Sequence, residues 1–249
     1  MEERIQKVLS AQGLCSRREA DRLIEEGRVA VNGRRAEPGT KIDVRKDVLH
    51  VDGKRVHLEK NVEKYYYALN KPRGYVTTLK DEHADKTVAD LFADVDVRLY
   101  PVGRLDKDSE GLLIMTNDGT FTNLLTHPSG GITKTYRVSV TPAPVEEQLI
   151  ELSTGVKLDD GHVTLPAKVR VTGTTGTEKG TLEIVLSEGH NREIRRMCEA
   201  VGLQVTRLKR TAIGPLKLSS LKAGEYRKLT SGEVSALRRS ATVKTNKKR

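Results

Sequence analysis

Residues 57–64 (His-Leu-Glu-Lys-Asn-Val-Glu-Lys) carry no apolar period and divide the chain into two stretches of different character. The part before them reads as short helices and a hairpin, and the part after them as many strands with a few helices. The expected organisation is an N-terminal domain over 1–56, a linker over 57–64, a larger domain over 65–240 and a basic tail over 241–249. A length of 249 residues suits one sizeable domain with a small appendage.

In the first stretch, Arg4 to Ala11 places Ile5, Val8 and Leu9 on one helical face, and Gly13 stops it. Ser16-Arg17-Arg18-Glu19 is a capping box for a second helix, which buries Ala20, Leu23 and Ile24 and ends at Gly27. Val29 to Val31 runs into Asn32-Gly33, a strong hairpin signal, and a strand at Val48 to Val51 closes at Asp52-Gly53. Arg17, Arg18, Arg22 and Arg28 gather around the second helix, with Arg34 and Arg35 in the hairpin.

In the second stretch, strands are predicted at Tyr65 to Leu69, Leu112 to Met115, Tyr136 to Val140, His162 to Val171 and Gly180 to Leu186. Asn70-Lys71-Pro72-Arg73-Gly74 reads as a turn. Short helices fit Val88 to Phe92, Val145 to Leu152, Arg192 to Ala200 and Gly232 to Arg239. The elements lack βαβ regularity, so the fold class is α+β with a mainly antiparallel mixed sheet.

Charge narrows the function. Residues 187–249 carry 16 basic and 5 acidic side chains, a local excess of +11 in a chain of net charge +10. Such an excess is the footprint of a polyanion partner. A solvated tail, Lys244 to Arg249, is the plain alternative and accounts for four of those charges. No window has the roughly 18 apolar residues of a membrane helix, and no signal-peptide stretch opens the chain, so a cytoplasmic protein without membrane contact is expected. Cys15 and Cys198 stand alone, the six histidines show no i, i+4 pair, and neither phosphate-loop nor dinucleotide glycine motifs occur. A metal site and a cofactor are therefore not expected.

Gly103-Arg104-Leu105-Asp106-Lys107-Asp108-Ser109-Glu110-Gly111-Leu112-Leu113 sets three carboxylates between two glycines and ahead of an apolar strand. By spacing alone it is an acidic surface turn. It resembles, however, the catalytic-loop motif of pseudouridine synthases of the RsuA/RluB/RluF family. The resemblance extends to Asn70 to Gly74, Lys134-Thr135-Tyr136 and Asn191-Arg192-Glu193-Ile194-Arg195-Arg196-Met197. Residues 4–52 resemble the S-four RNA-binding domain.

These resemblances imply that Asp106 triggers glycosidic bond cleavage of a uridine, by attack on the sugar or by abstraction of a sugar proton. They imply that Tyr136 offers a stacking face for the flipped base, and that Arg195 pairs with Asp106 and keeps it ionised. Arg17, Arg18, Arg22, Lys71, Arg73, Arg104, Arg192 and Arg196 are the candidate RNA contacts. Arg104 has the alternative of pairing with Asp108 or Glu110. Arg207, Lys209 and Arg210 line an RNA groove or form the solvent side of a strand.

Gly214-Pro215-Leu216 and Gly224-Glu225-Tyr226-Arg227 lean towards the RluB kind, hence towards free or partly assembled large-subunit (23S) rRNA as substrate; the sequence leaves the oligomeric state open, with a monomer expected. Small-subunit (16S) rRNA is the alternative substrate, and a non-catalytic ribosome-assembly factor is a rival from another class. A DNA-binding regulator would leave the β-rich domain unexplained.

Overall fold

The computed structural model describes residues 2–59, 61–79 and 85–242. Most of the tail expected over 241–249 lies outside them. The chain separates into two compact units, one built mainly on Met1–Tyr65 and the other on the rest.

The smaller unit runs β1 (Glu3–Arg4), α1 (Ile5–Ala11), α2 (Arg17–Glu25), β2 (Val29–Val31), β3 (Arg34–Arg35), β4 (Lys41–Ile42), β5 (Leu49–Val51) and β6 (Lys54–Val56). Ser16 caps α2 by accepting the Glu19 N–H at 3.0 Å. The reciprocal half of the predicted box is replaced, because the Glu19 carboxylate turns to Arg22 instead. Asn32 and Gly33 both take positive φ, 50° and 81°, joining β2 to β3. Asp52 and Gly53 do the same between β5 and β6, so the sequence turn opens a further strand. Ile5, Val8, Leu9, Ala20, Leu23, Ile24, Val29 and Leu49 form the core.

The larger unit runs β7 (Tyr66–Lys71), β8 (Tyr100–Val102), β9 (Glu110–Thr116), α3 (Gly119–Thr126), β10 (Lys134–Thr141), α4 (Glu146–Thr154), β11 (Lys168–Thr175), β12 (Lys179–Leu186), α5 (Glu193–Ala200), β13 (Gln204–Ile213), β14 (Leu216–Lys217), β15 (Tyr226–Lys228) and α6 (Ser231–Thr242). Its sheet has the order β11-β12-β10-β13-β9-β7-β15, with β14 on β13 and β8 on β9. All pairings are antiparallel except β9 with β13, where Lys209 faces Glu110 and Arg210 faces Gly111. The segment predicted as a strand from His162 begins only at Lys168, beyond Pro166, which lacks the N–H a ladder needs. The helix α3, which the sequence reading did not predict, starts at Gly119.

Two apolar cores flank the parallel junction. Leu152 of α4 and Ile194, Met197 and Cys198 of α5 pack with Val138, Leu182, Ile184 and Leu208. Phe121 and Leu125 of α3 and Leu237 of α6 pack with Leu112, Ile114 and Ile213. β13 feeds both, with Leu208 in one and Ile213 in the other.

Candidate active site

A cleft of about 330 Å³ opens between these cores. Leu125 and Ile213 come to it from one core, and Leu186, Ile194 and Leu208 from the other. Its polar lining includes Arg104, Asp106, Lys134, Tyr136, Arg192, Glu193 and Arg210. The lining mixes apolar side chains, which suit a flat organic ring, with a larger set of polar and charged groups able to orient it.

Asp106 sits on the loop between β8 and β9. Thr77 Oγ1 donates to the Leu105 carbonyl at 2.6 Å, and the Gly74 N–H donates to the Lys107 carbonyl at 2.7 Å. Gly111 closes the loop with φ +108°, and a Cβ there would lie 2.2 Å from the Arg210 carbonyl oxygen. Only glycine admits the β13 backbone so close at that φ.

Beneath the loop lies Lys71, which the sequence reading placed in a surface turn as a phosphate contact. The strand β7 instead carries it inward until its side chain is wholly buried. Its ammonium donates to the carbonyls of Asp106 at 3.0 Å, Ser109 at 2.8 Å and Pro72 at 3.2 Å. Burial pulls its pKa down to about 8, although the Asp106 and Asp108 charges oppose this. Lys71 is thus an internal strut of the loop.

The arginines divide their work differently from the expectation. Arg195 makes its ion pair with Asp108, 3.1 Å from Nη2 to Oδ2, rather than with Asp106. Arg192, a left-handed residue at the start of α5, stands 3.8 Å from Asp106 Oδ2 and 3.2 Å from Asp108 Oδ1. The loop turns back after Asp106 through the Ser109 N–H to the Asp106 carbonyl, and this presents Asp108 to both guanidinium groups. Against the raising effect of burial, Arg192 and Arg195 hold the Asp108 carboxyl below its ordinary range. Arg196 is occupied by Asp159 and Asp160.

Arg104 is exposed and makes no ion pair among the described residues, so neither Asp108 nor Glu110 takes it. Arg207 pairs with Glu110 at 2.7 Å. Arg73 is exposed beside Lys107, Asp108 and Arg192 in a shallow hollow. In the smaller unit Arg17 and Arg18 are exposed and make no ion pair among the described residues, whereas Arg22 is engaged by Glu19 and Glu26.

Tyr136 packs against the core around Leu208 and also lines the cleft. Three other charges line the cleft: Lys134 and Glu193, which had no assigned role in the sequence, and Arg210, which was expected in an RNA groove or on the solvent side of its strand and is instead buried. Arg210 donates Nε–H to the Leu112 carbonyl at 2.7 Å and Nη1–H to the Arg104 carbonyl at 3.4 Å, and its Nη2 has no partner among the described residues. Lys134 donates to the Glu188 carbonyl at 3.2 Å, and burial and Arg210 lower its pKa. Glu193 is buried, and burial together with the Glu188 carboxyl raises its pKa to about 7 while the His190 N–H opposes. The period of two would have shown Arg210 sharing the inward face of Leu208. Among the described residues, the groups able to hold a metal ion are His162, Glu188 and His190, which the fold gathers from separate segments.

Comparison with known proteins gives this arrangement a family. Residues 65–200 match the model described as RNA pseudouridylate synthase, and residues 3–49 match the S4 domain. The chain is 42% identical over 238 residues to the ribosomal large subunit pseudouridine synthase B of Bacillus subtilis (strain 168), covering 95% of this chain and 96% of the relative. It is 39% identical over 231 residues to the dual-specificity RNA pseudouridine synthase RluF of Escherichia coli (strain K12), covering 93% and 77%. A solved structure described as a pseudouridylate synthase superposes with a TM-score of 0.68 at 29% identity, over 94% of this chain and 99% of that one. The chain belongs to the RNA pseudouridylate synthase family, isomerases of RNA uridine, and carries an S4 domain at its N-terminal end.

Proposed function

We propose that this protein converts one uridine of large-subunit (23S) rRNA to pseudouridine, acting in the cytoplasm as a monomer on free or partly assembled rRNA. The observation that carries the reading is Asp106 on a braced loop at the wall of a cleft whose other walls supply Tyr136 and apolar side chains. The large-subunit assignment rests on similarity to the Bacillus subtilis enzyme along nearly the full length of both chains. The two domains, a small RNA-binding one over 1–56 and a catalytic one over 65–240 joined at 57–64, divide recognition from chemistry.

In this reading the target nucleotide leaves its stack and its uracil lies against Tyr136, an aromatic face that repays lost base stacking. Asp106, one oxygen of which lies near Arg192, acts on the sugar as an ionised carboxylate and triggers cleavage of the bond from uracil N1 to the anomeric carbon. The detached uracil is held in the cleft, rotates, and forms a new bond from its C5 to the anomeric carbon; the C5 proton leaves and N1 takes up a proton, so the product is an isomer of the substrate. Arg195 contributes by fixing Asp108 and the loop around Asp106. Arg104 and Arg73 are free to take phosphates flanking the flipped nucleotide. Arg17 and Arg18 crowd positive charge into the first turn of α2, against the helix dipole, which favours an anionic partner there. Lys71, Arg22 and Arg196, already engaged within the protein, contribute less to RNA contact.

The test is chemical mapping of pseudouridine in rRNA from the host with this gene deleted, complemented by wild type or by Asp106→Asn. One large-subunit signal should vanish, return with wild type and stay absent with the variant. A lost small-subunit signal would overturn the substrate assignment. Loss of no signal would overturn the enzymatic reading in favour of an assembly role.

A further inference from the structure

The turn formed by residues 157–163 meets the segment between β12 and α5 at the rim of the cleft, which Gly189, His190 and Asn191 line. Leu158 N–H donates to the His162 carbonyl at 2.7 Å, and the Asp160 carboxylate accepts the His162 N–H at 3.0 Å, so the turn is tight. Across from it stand Glu188 and His190. The two imidazole centroids are 4.1 Å apart, and His190 Nε2 lies 3.3 Å from Glu188 Oε2. One ring nitrogen of each histidine and one Glu188 oxygen all fall within 4.8 Å of one another. His162 Nε2 is buried with no hydrogen-bond partner among the described residues.

We propose that His162, Glu188 and His190 form a binding site for a divalent transition metal of the zinc class. Two imidazoles and a carboxylate are a donor set suited to zinc, cobalt or nickel rather than to magnesium or calcium. Zinc bonds of about 2.0–2.1 Å in a tetrahedron separate neighbouring donors by about 3.3 Å. Glu188 and His190 already stand at that separation, and a swing of the His162 ring closes the rest. Three protein ligands leave a fourth position for water, and the exposure of His190 leaves a path from solvent.

The outer contacts are those a ligand carboxylate needs. Glu188 Oε1 accepts the Leu165 N–H at 2.6 Å, which fixes the carboxylate against the turn. A buried imidazole nitrogen without a partner is unfavourable by itself, and a metal bond would relieve it. The ion would clamp the 157–163 turn to the residues just before Asn191 and Arg192. It therefore stiffens the wall of the cleft and takes no part in bond making.

The experiment is calorimetric titration of zinc chloride into the full-length, chelator-treated protein, with excess magnesium chloride as competitor and thermal unfolding in parallel. One ion per chain should bind, magnesium should not compete, and zinc should raise the unfolding midpoint. His162→Ala and His190→Ala should each weaken binding at least roughly tenfold, a loss of about 1.4 kcal/mol, and remove the shift in midpoint. His57→Ala, in the other unit, should bind as wild type. His190 is exposed, so its variant remains informative if His162→Ala unfolds. Absence of stoichiometric uptake, equal competition by magnesium, or unchanged binding in His190→Ala would overturn the proposal.

Discussion

Lys71→Met keeps the length and apolar stem of the side chain and removes its ammonium. The Asp106 and Ser109 carbonyls lose donors at 3.0 and 2.8 Å. The Asp106 carbonyl keeps the Ser109 N–H, so the loss falls on the buried Ser109 carbonyl, and a buried acceptor left short costs about 1–3 kcal/mol. Burying the charge is itself unfavourable: the fall in pKa from 10.5 to about 8 corresponds to about 3 kcal/mol at neutral pH. The two effects largely offset, so global stability should fall by no more than about 3 kcal/mol. The loop around Asp106 nevertheless loses its anchor, and displacement of a catalytic group by about 1 Å lowers kcat about 100-fold.

A second signature is pH dependence. Lys71 in the folded protein releases its proton before it does in the unfolded chain. Between about pH 8 and about pH 10.5 the unfolded state therefore binds more protons, and this position adds stability as pH rises. Urea unfolding of both proteins across that window should show the wild type gaining on the variant, alongside single-turnover rates on rRNA. A variant within about threefold of wild-type kcat would refute the strut argument.

Two further substitutions probe the same loop. Gly111→Ala forces a Cβ to 2.2 Å from the Arg210 carbonyl oxygen at φ +108° and should cost about 2–6 kcal/mol in urea unfolding. Gly53→Ala, at φ +74° with open space around it, should cost only about 1–2 kcal/mol, and equal losses would contradict the close approach. Asp108→Asn removes the carboxylate shared by Arg192 and Arg195 and should lower kcat about tenfold in steady-state assays, with folding retained; unchanged kinetics would show that those arginines need no organiser.

What the sequence made legible was local. Asn32-Gly33, Asp52-Gly53 and the Ser16 cap are read within four residues of themselves, and each stands where its chemistry directs. The helix α3 was obscured because Gly119 is a poor helix former, although Phe121 and Leu125 have the i, i+4 spacing of a buried face. The candidate site was legible only in part, through the family motifs. Lys71 looks like a turn lysine until β7 is seen to continue through it. The pairing of Arg195 with Asp108 depends on how a loop and a helix more than eighty residues apart are brought together, which no local pattern encodes.

The parallel contact of Glu110 and Gly111 with Lys209 and Arg210 also sets a timetable for biosynthesis. About a hundred residues separate the two strands, so at about 5–20 residues per second the loop bearing Asp106 waits roughly 5–20 seconds on the ribosome for its partner strand. Until β13 emerges, the backbone groups at the start of β9 have no neighbour on that side and the cleft has no floor. A nascent chain stopped before β13 therefore lacks a complete cleft, and competence arrives only when the last fifth of the polypeptide is in place.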